Sequence, residues 1–251
     1  EFQMETLAEL ANTPSSLSAG LAQLPALYEA WIAVQEGGIG AIAGQPRQAT
    51  ARRLIDAARQ ARDRIAAGIA LLERDRHSRL AFKAMNEAIA RAARQRNAGP
   101  NGDPAAQQRP RWRPFQLAFI LLNLPGLQDE LSPDRETVDL LFFPTGGGKT
   151  EAYLGLSAWT IAHRRLTNSG VLGAGMAVLM RYTLRLLTLD QLSRAAGVVC
   201  ALELMRDEPA WKDNGKRMLG EWPIEIGLWV GAAASPNRLG KTGDGRKDTA
   251  V

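Results

Sequence analysis

The stretch Val138–Glu151, VDLLFFPTGGGKTE, decides how this chain is read. A short apolar run, Val138 to Phe143, leads through Pro144-Thr145 into Gly146, Gly147 and Gly148, then Lys149-Thr150 and a helix expected from about Thr150 to Arg165. Three glycines let the backbone turn tightly and aim its N–H groups at phosphate oxygens. A helix N-terminus adds partial positive charge at the same place. In that frame Lys149 reaches the β- and γ-phosphates of ATP, and the Thr150 hydroxyl ligates Mg²⁺. Position 143, where the plain GxxxxGK[ST] form carries its first glycine, holds Phe143. A Gly-rich turn with only a structural role needs no lysine and hydroxyl in tandem at a helix start. The second Gly-Lys-Thr, Gly240 to Thr242, fails the same context test, because it follows a polar loop and precedes GDGRKD.

Outward from the loop, Met176–Met180 and Ile224–Val230 are two further strand candidates. The helix between them is expected to start at Thr188, with Gln191 completing a capping box, and to stop before Pro209. Strand, helix, strand, helix, strand is the order of a parallel sheet with right-handed crossovers. The first half reads differently. Leu24, Leu27, Trp31 and Val34 predict a helix over 21–36, and Leu54, Ala58, Ala61, Ile65, Ile69 and Leu72 predict a second over 48–72. Phe82, Met85, Ile89 and Ala92 mark a third, ending by Gly99-Pro100, so the two long helices form an antiparallel hairpin. Residues 97–108 read as a linker. The expectation is an all-α helical region, 1–108, followed by an α/β region, 109–251.

The 251 residues are 45% hydrophobic and 23% charged, with net charge +5, which fits a soluble globular chain with a sizeable core. Cys200 is the single cysteine, excluding a disulfide scaffold and a cysteine-ligated zinc, and two histidines exclude His-rich metal chemistry. The longest apolar stretch, Phe115–Leu127, is short for a membrane span and holds Asn123 and Pro125. Glu1–Leu21 has neither the basic nor the apolar region of a signal peptide, so the expected location is cytoplasmic, without membrane association. Between Arg47 and Arg96 stand thirteen Arg or Lys against five Asp or Glu. Such a block either attracts phosphate or is the solvated face of long helices.

PTGGGKTE resembles motif I of superfamily 2 helicases, with the triple glycine of RecQ-like members. Arg113-Pro114-Phe115-Gln116 resembles the Q-motif, whose glutamine contacts adenine; an amide matches adenine N6 and N7. Trp112 is the candidate stacking surface for the base. AVLMRYTLRLL takes the place of motif Ia, where Thr183 and Arg185 would hold phosphates of a nucleic-acid strand. Ser235-Pro236-Asn237-Arg238 falls where motif Ib would, making Arg238 a further backbone contact. With LLFFPTGGGKTEAYLGL, VLMRYTLRLLTLDQLSRAAG and IGLWVGAAASPNRLG, residues 80–240 are similar to the helicase subunit of the DISARM anti-phage system, the DrmA-like proteins. That resemblance implies an incomplete first RecA-like helicase domain, carrying a DNA-binding ATPase that works with a partner subunit in bacterial defence. The implied nucleotide-binding set is Trp112, Gln116, Thr145, Gly146, Gly147, Gly148, Lys149, Thr150 and Glu151, with Lys149 and Thr150 catalytic.

A superfamily 2 enzyme also needs an Asp-Glu pair ending a later strand and arginines from a second RecA-like domain. Asp129-Glu130 and Asp207-Glu208 follow no strand, and no Q-x-x-G-R-x-x-R occurs. The chain therefore reads as truncated before the acidic motif and inactive in hydrolysis by itself. Two readings compete: the ATP-gripping portion of a DNA helicase or translocase, and a non-catalytic, nucleotide-dependent module that binds nucleic acid or protein.

Overall fold

The structure, a computed structural model, describes residues 2–142, 147–181 and 185–229, of which 185–189 by backbone alone, together with the backbone of 238–239 and 249–250. Eight α-helices make up most of the described residues: α1 (Met4–Leu10), α2 (Pro14–Leu21), α3 (Gln23–Gly37), α4 (Gln45–Arg74), α5 (Arg76–Ala98), α6 (Pro114–Gln128), α7 (Lys149–Thr167) and α8 (Arg185–Asp207).

α5 lies at the centre, packed against α1, α4, α7 and α8, while α4 packs on α2, α3 and α6. Its sequence explains the position. Ala81, Ala84, Ala88 and Ala90 let neighbours approach on several sides, and Phe82, Met85 and Ile89 fill the spaces between them. Asp75 alone separates α4 from α5; its carboxylate accepts from the Ser78 N–H at 2.6 Å and so caps α5. The apolar Phe115–Leu127 stretch is α6, a core helix that buries Leu117, Ile120, Leu121 and Leu124. No helix among the described residues is long and apolar enough to cross a membrane. Buried indoles keep hydrogen-bond partners: Trp112 Nε1 donates to Asn86 Oδ1 at 2.7 Å, and Trp159 Nε1 donates to the Ser78 carbonyl at 3.1 Å. One buried cluster runs from Met4 to Ile224 and draws on both the 1–108 and the 109–251 residues.

Among the described residues the expected RecA-like parallel sheet is not present, which corrects the α/β reading. Strands among the described residues are dipeptides: β1 (Lys212–Asp213) antiparallel to β2 (Lys216–Arg217), and β3 (Arg238–Leu239) beside β4 (Thr249–Ala250). As far as they are described, the three apolar runs form no strand, and other partners engage parts of them. In the first, Val138 and Phe142 are 92% and 88% exposed, and Asp139 is held by the Arg64 guanidinium of α4 at 2.6 and 2.7 Å. Gly175–Arg181 and Pro223–Trp229 line a cleft of about 1070 Å³ against α7 and α8. There Arg165 of α7 donates to the Trp222 and Pro223 carbonyls at 2.7 Å, and the Ile224 N–H donates to Glu203 Oε2 at 2.9 Å. Helix side chains thus take backbone groups at the start of this run that a sheet ladder would have used.

Smaller differences have local causes. α8 starts at Arg185, so the expected capping box at Thr188 lies inside the helix. On α4 the expected Ile65, Ile69 and Leu72 are buried, while nearer its start Ile55 is buried in place of Leu54, which is exposed. On α3, Leu24 and Ile32 face inward, while Leu27, Trp31 and Val34 face out. The β1–β2 hairpin turns on Asn214 (φ 50°) and Gly215 (φ 79°), the Asn-Gly signal of a two-residue primed turn.

Candidate nucleotide site

α7 begins at Lys149, so Lys149 and Thr150 stand in its first turn, both half-buried. Gly148 caps the helix with φ 86°, in the left-handed region where a side chain is strained. A Cβ at Gly148 would also come within 2.8 Å of Gln116 Nε2. Glycine is required there on both counts.

Two residues ahead of α6 and inside its first turn clamp the loop. Gln116 Nε2 donates to the Gly148 carbonyl at 2.6 Å, and its Oε1 accepts from the Arg113 N–H at 2.7 Å. Arg113 Nη1 donates to the Gly147 carbonyl at 2.8 Å. These bonds engage the Gly147 and Gly148 carbonyls inside the protein. Gln116 is buried, with both ends of its amide engaged inside the protein. It is therefore placed to hold the loop. Trp112 is 3% exposed and bonded to Asn86, so its ring has no face open to a base, which corrects its expected stacking role.

Glu151 reaches sideways. Its Oε1 pairs with Arg194 of α8 and lies 3.8 Å from Arg96 Nη2 at the end of α5. Sequence reasoning missed Arg113, Arg96 and Arg194 as parts of this neighbourhood. Arg113 carried a signal in its adjacency to the Q-like stretch; the two others come from distant helices with no local cue.

The structure assembles Gln116, Gly147, Gly148, Lys149, Thr150 and Glu151 at one helix start. Thr145 and Gly146 lie outside the described residues, as does Thr183; Arg185 and Arg238 are described by backbone alone. A single threonine hydroxyl at a helix start fits Mg²⁺, which keeps several waters and takes its remaining ligands from phosphates. Among the described residues no group of three or more His, Cys, Asp or Glu converges on a metal position. The acidic pairs serve elsewhere: Asp207 holds Arg217, Glu208 holds Arg91, and Asp129 accepts from the Leu131 N–H. Within the rival basic stretch, Arg59 pairs with Glu36, Arg62 with Glu29 and Arg91 with Glu208.

Across 95% of its length the chain is 38% identical to the DISARM protein DrmA of Bacillus paralicheniformis. The chain is related to a DISARM protein. It spans 21% of that relative's length. No family model matches it.

Proposed function

We propose that this chain grips ATP and Mg²⁺ for a superfamily 2 DNA helicase or translocase acting in anti-phage defence, alongside a DISARM partner subunit. The observation that carries the reading is the start of α7, where Lys149 and Thr150 follow a left-handed Gly148 clamped by Gln116. The relative's name supports the defence setting, and the motif wording supports the helicase class. No parallel sheet enters the argument.

In this reading the helix dipole and loop N–H groups bind phosphate, Lys149 neutralises the terminal phosphates, and Thr150 orients Mg²⁺. The bound Mg²⁺ would supply charge neutralisation on the β- and γ-oxygens. Gln116 and Arg113 keep the loop in its binding shape, which lowers the ordering cost of binding. Lys149→Ala weakens a non-hydrolysable ATP analogue at least tenfold in calorimetry. Equal affinity of variant and parent would remove the nucleotide assignment.

DNA contact at the start of α8, through Thr183 and Arg185, is the second element of the proposal, with Arg238 a further candidate. Phosphate contacts of this kind give sequence-tolerant, salt-dependent binding. Arg185→Ala weakens all single-stranded sequences about equally and lowers the salt slope by roughly one contact. Neutralising Arg59, Arg62 and Arg91 leaves affinity nearly unchanged, because those charges are already paired. The reverse pattern would move the DNA site to α4 and α5. The competing reading, a nucleotide-dependent clamp without hydrolysis, is favoured by the helical body in which the loop is set; DNA-stimulated ATP turnover by the full-length protein excludes it.

A further inference from the structure

α3 leaves one face bare. Leu27, Trp31 and Val34, spaced i, i+4 and i+7, form a row on its outer side and are 65%, 51% and 70% exposed. Ala26, Ala30 and Ala33 are exposed beside them. The inner side is already satisfied by Ile32, which packs with Ile39 and Ile55, so the row is not a core face turned the wrong way. The helix has two charged residues, Glu29 and Glu36, and both are paired with α4, through Arg62 and Arg59. Its outward half therefore carries no charge over about 22 Å. A helix face that stays in water carries charged side chains, as α4 does with exposed Arg52, Arg53 and Asp56. Trp31 is also held in place: its ring stacks on half-buried Tyr28 with 5.7 Å between centroids. A tryptophan already fixed by a neighbour loses little freedom on being covered.

The chemistry of the face selects among covers. A surface of anionic lipid wants Lys or Arg flanking the apolar row, and α3 has neither. A second copy, or a separate subunit, would be held by one helix face about 22 Å long and about 10 Å wide. That is a fraction of the roughly 800 Å² that each side of a stable complex buries. A tethered segment needs no such area, because its effective concentration reaches the millimolar range. Most of the relative's length lies outside the stretch that this chain matches. We propose that the Leu27–Trp31–Val34 row seats an uncharged, apolar helix face from another region of the same, longer polypeptide. The row is an intramolecular docking surface, independent of the nucleotide and DNA reading above.

In the test, Val34 of the purified full-length protein is replaced by the photo-crosslinking residue p-benzoylphenylalanine. Irradiation gives a cross-link within one chain, and peptide mapping puts its far end on apolar residues outside the 251 of this sequence. A dimer-sized product means that a second copy covers the row. A far end inside these residues, or no cross-link, means that no distant region does. Each of these results overturns the proposal. Hydrogen exchange gives a second readout in the same protein. Leu27→Glu with Val34→Glu puts two charges under the cover and speeds α3 amide exchange at least tenfold, while α5 amides keep their parent rates. Glutamate is a good helix former, so a bare face would tolerate both changes. Exchange in α3 equal to the parent's therefore overturns the proposal as well. The cross-link, made in a chain otherwise unchanged, decides if the double variant fails to fold.

Discussion

Gly68→Ala lowers the stability of the protein by about 2 kcal/mol, although alanine is the better helix former. Gly68 lies in α4 where that helix meets α6, and a Cβ there would fall 2.0 Å from the Leu121 carbonyl oxygen. The obstructing atoms are backbone, so no side chain can rotate away and the two helices must separate. Overpacking of this kind costs about 3 kcal/mol, while the gain in helix propensity returns about 1 kcal/mol. The packing term wins. Gly197 in α8 gives the matched control, because its Cβ would meet only Ala92 Cβ at an ordinary 3.7 Å. Gly197→Ala should therefore be neutral or stabilising by up to about 1 kcal/mol. Urea unfolding of the two variants tests the pair; equal effects at both glycines would mean that α4 and α6 are not in close contact.

The α4–α6 contact also shows what the sequence conveys and what it does not. α4, α5 and α7 are long enough for apolar residues at 3.6-residue spacing to repeat several times, so their existence was legible. Which residue of a long helix is buried is less legible than the helix itself. Leu54 and Ile55 are adjacent and both apolar, and only the position of α3 decides which is buried. The three apolar runs of five to seven residues carry no period that separates a strand from an extended segment packed on helices. Their fate depends on distant partners: Arg64 for Asp139, and Arg165 and Glu203 for residues 222–224. The Gly-Lys-Thr start of α7 was legible because its residues are local, with glycines, lysine and threonine adjacent in the chain. Gln116 was read as an adenine contact, and its engagement with Gly148 depends on contact across 32 residues. Trp112 was misread for the converse reason, since its burial against Asn86 spans 26 residues.

Glu203→Ala costs about 3 kcal/mol, the largest loss expected from a single substitution here. Arg206 is buried, and Glu203 accepts from it with both oxygens, at 2.5 and 2.9 Å. Removing the carboxylate strands that guanidinium, leaving it only the Gly220 and Glu221 carbonyls. Breaking a fully buried pair costs about 3–5 kcal/mol, and Glu203, a third exposed, belongs below that range because water screens it. The Ile224 N–H loses its acceptor as well, adding about 1 kcal/mol. Arg165 compounds the effect, because burial and the Arg206 charge already push its pKa down. Deleting Glu203 leaves two guanidiniums facing each other under one loop. A loss of this size lowers the melting temperature by roughly 6–12 °C for a chain of this length. The same pair sets a pH dependence. The hydrogen bond from Arg206 holds the Glu203 pKa below its ordinary 4.5. Its stabilisation is therefore complete above pH 4.5 and is lost as the pH falls through the lowered value. Melting curves from pH 7 down to 3 should show the parent and Glu203→Ala proteins converging at the acid end. A constant difference across that range would mean that Glu203 stabilises the 220–224 loop by packing, and that its charge contributes nothing.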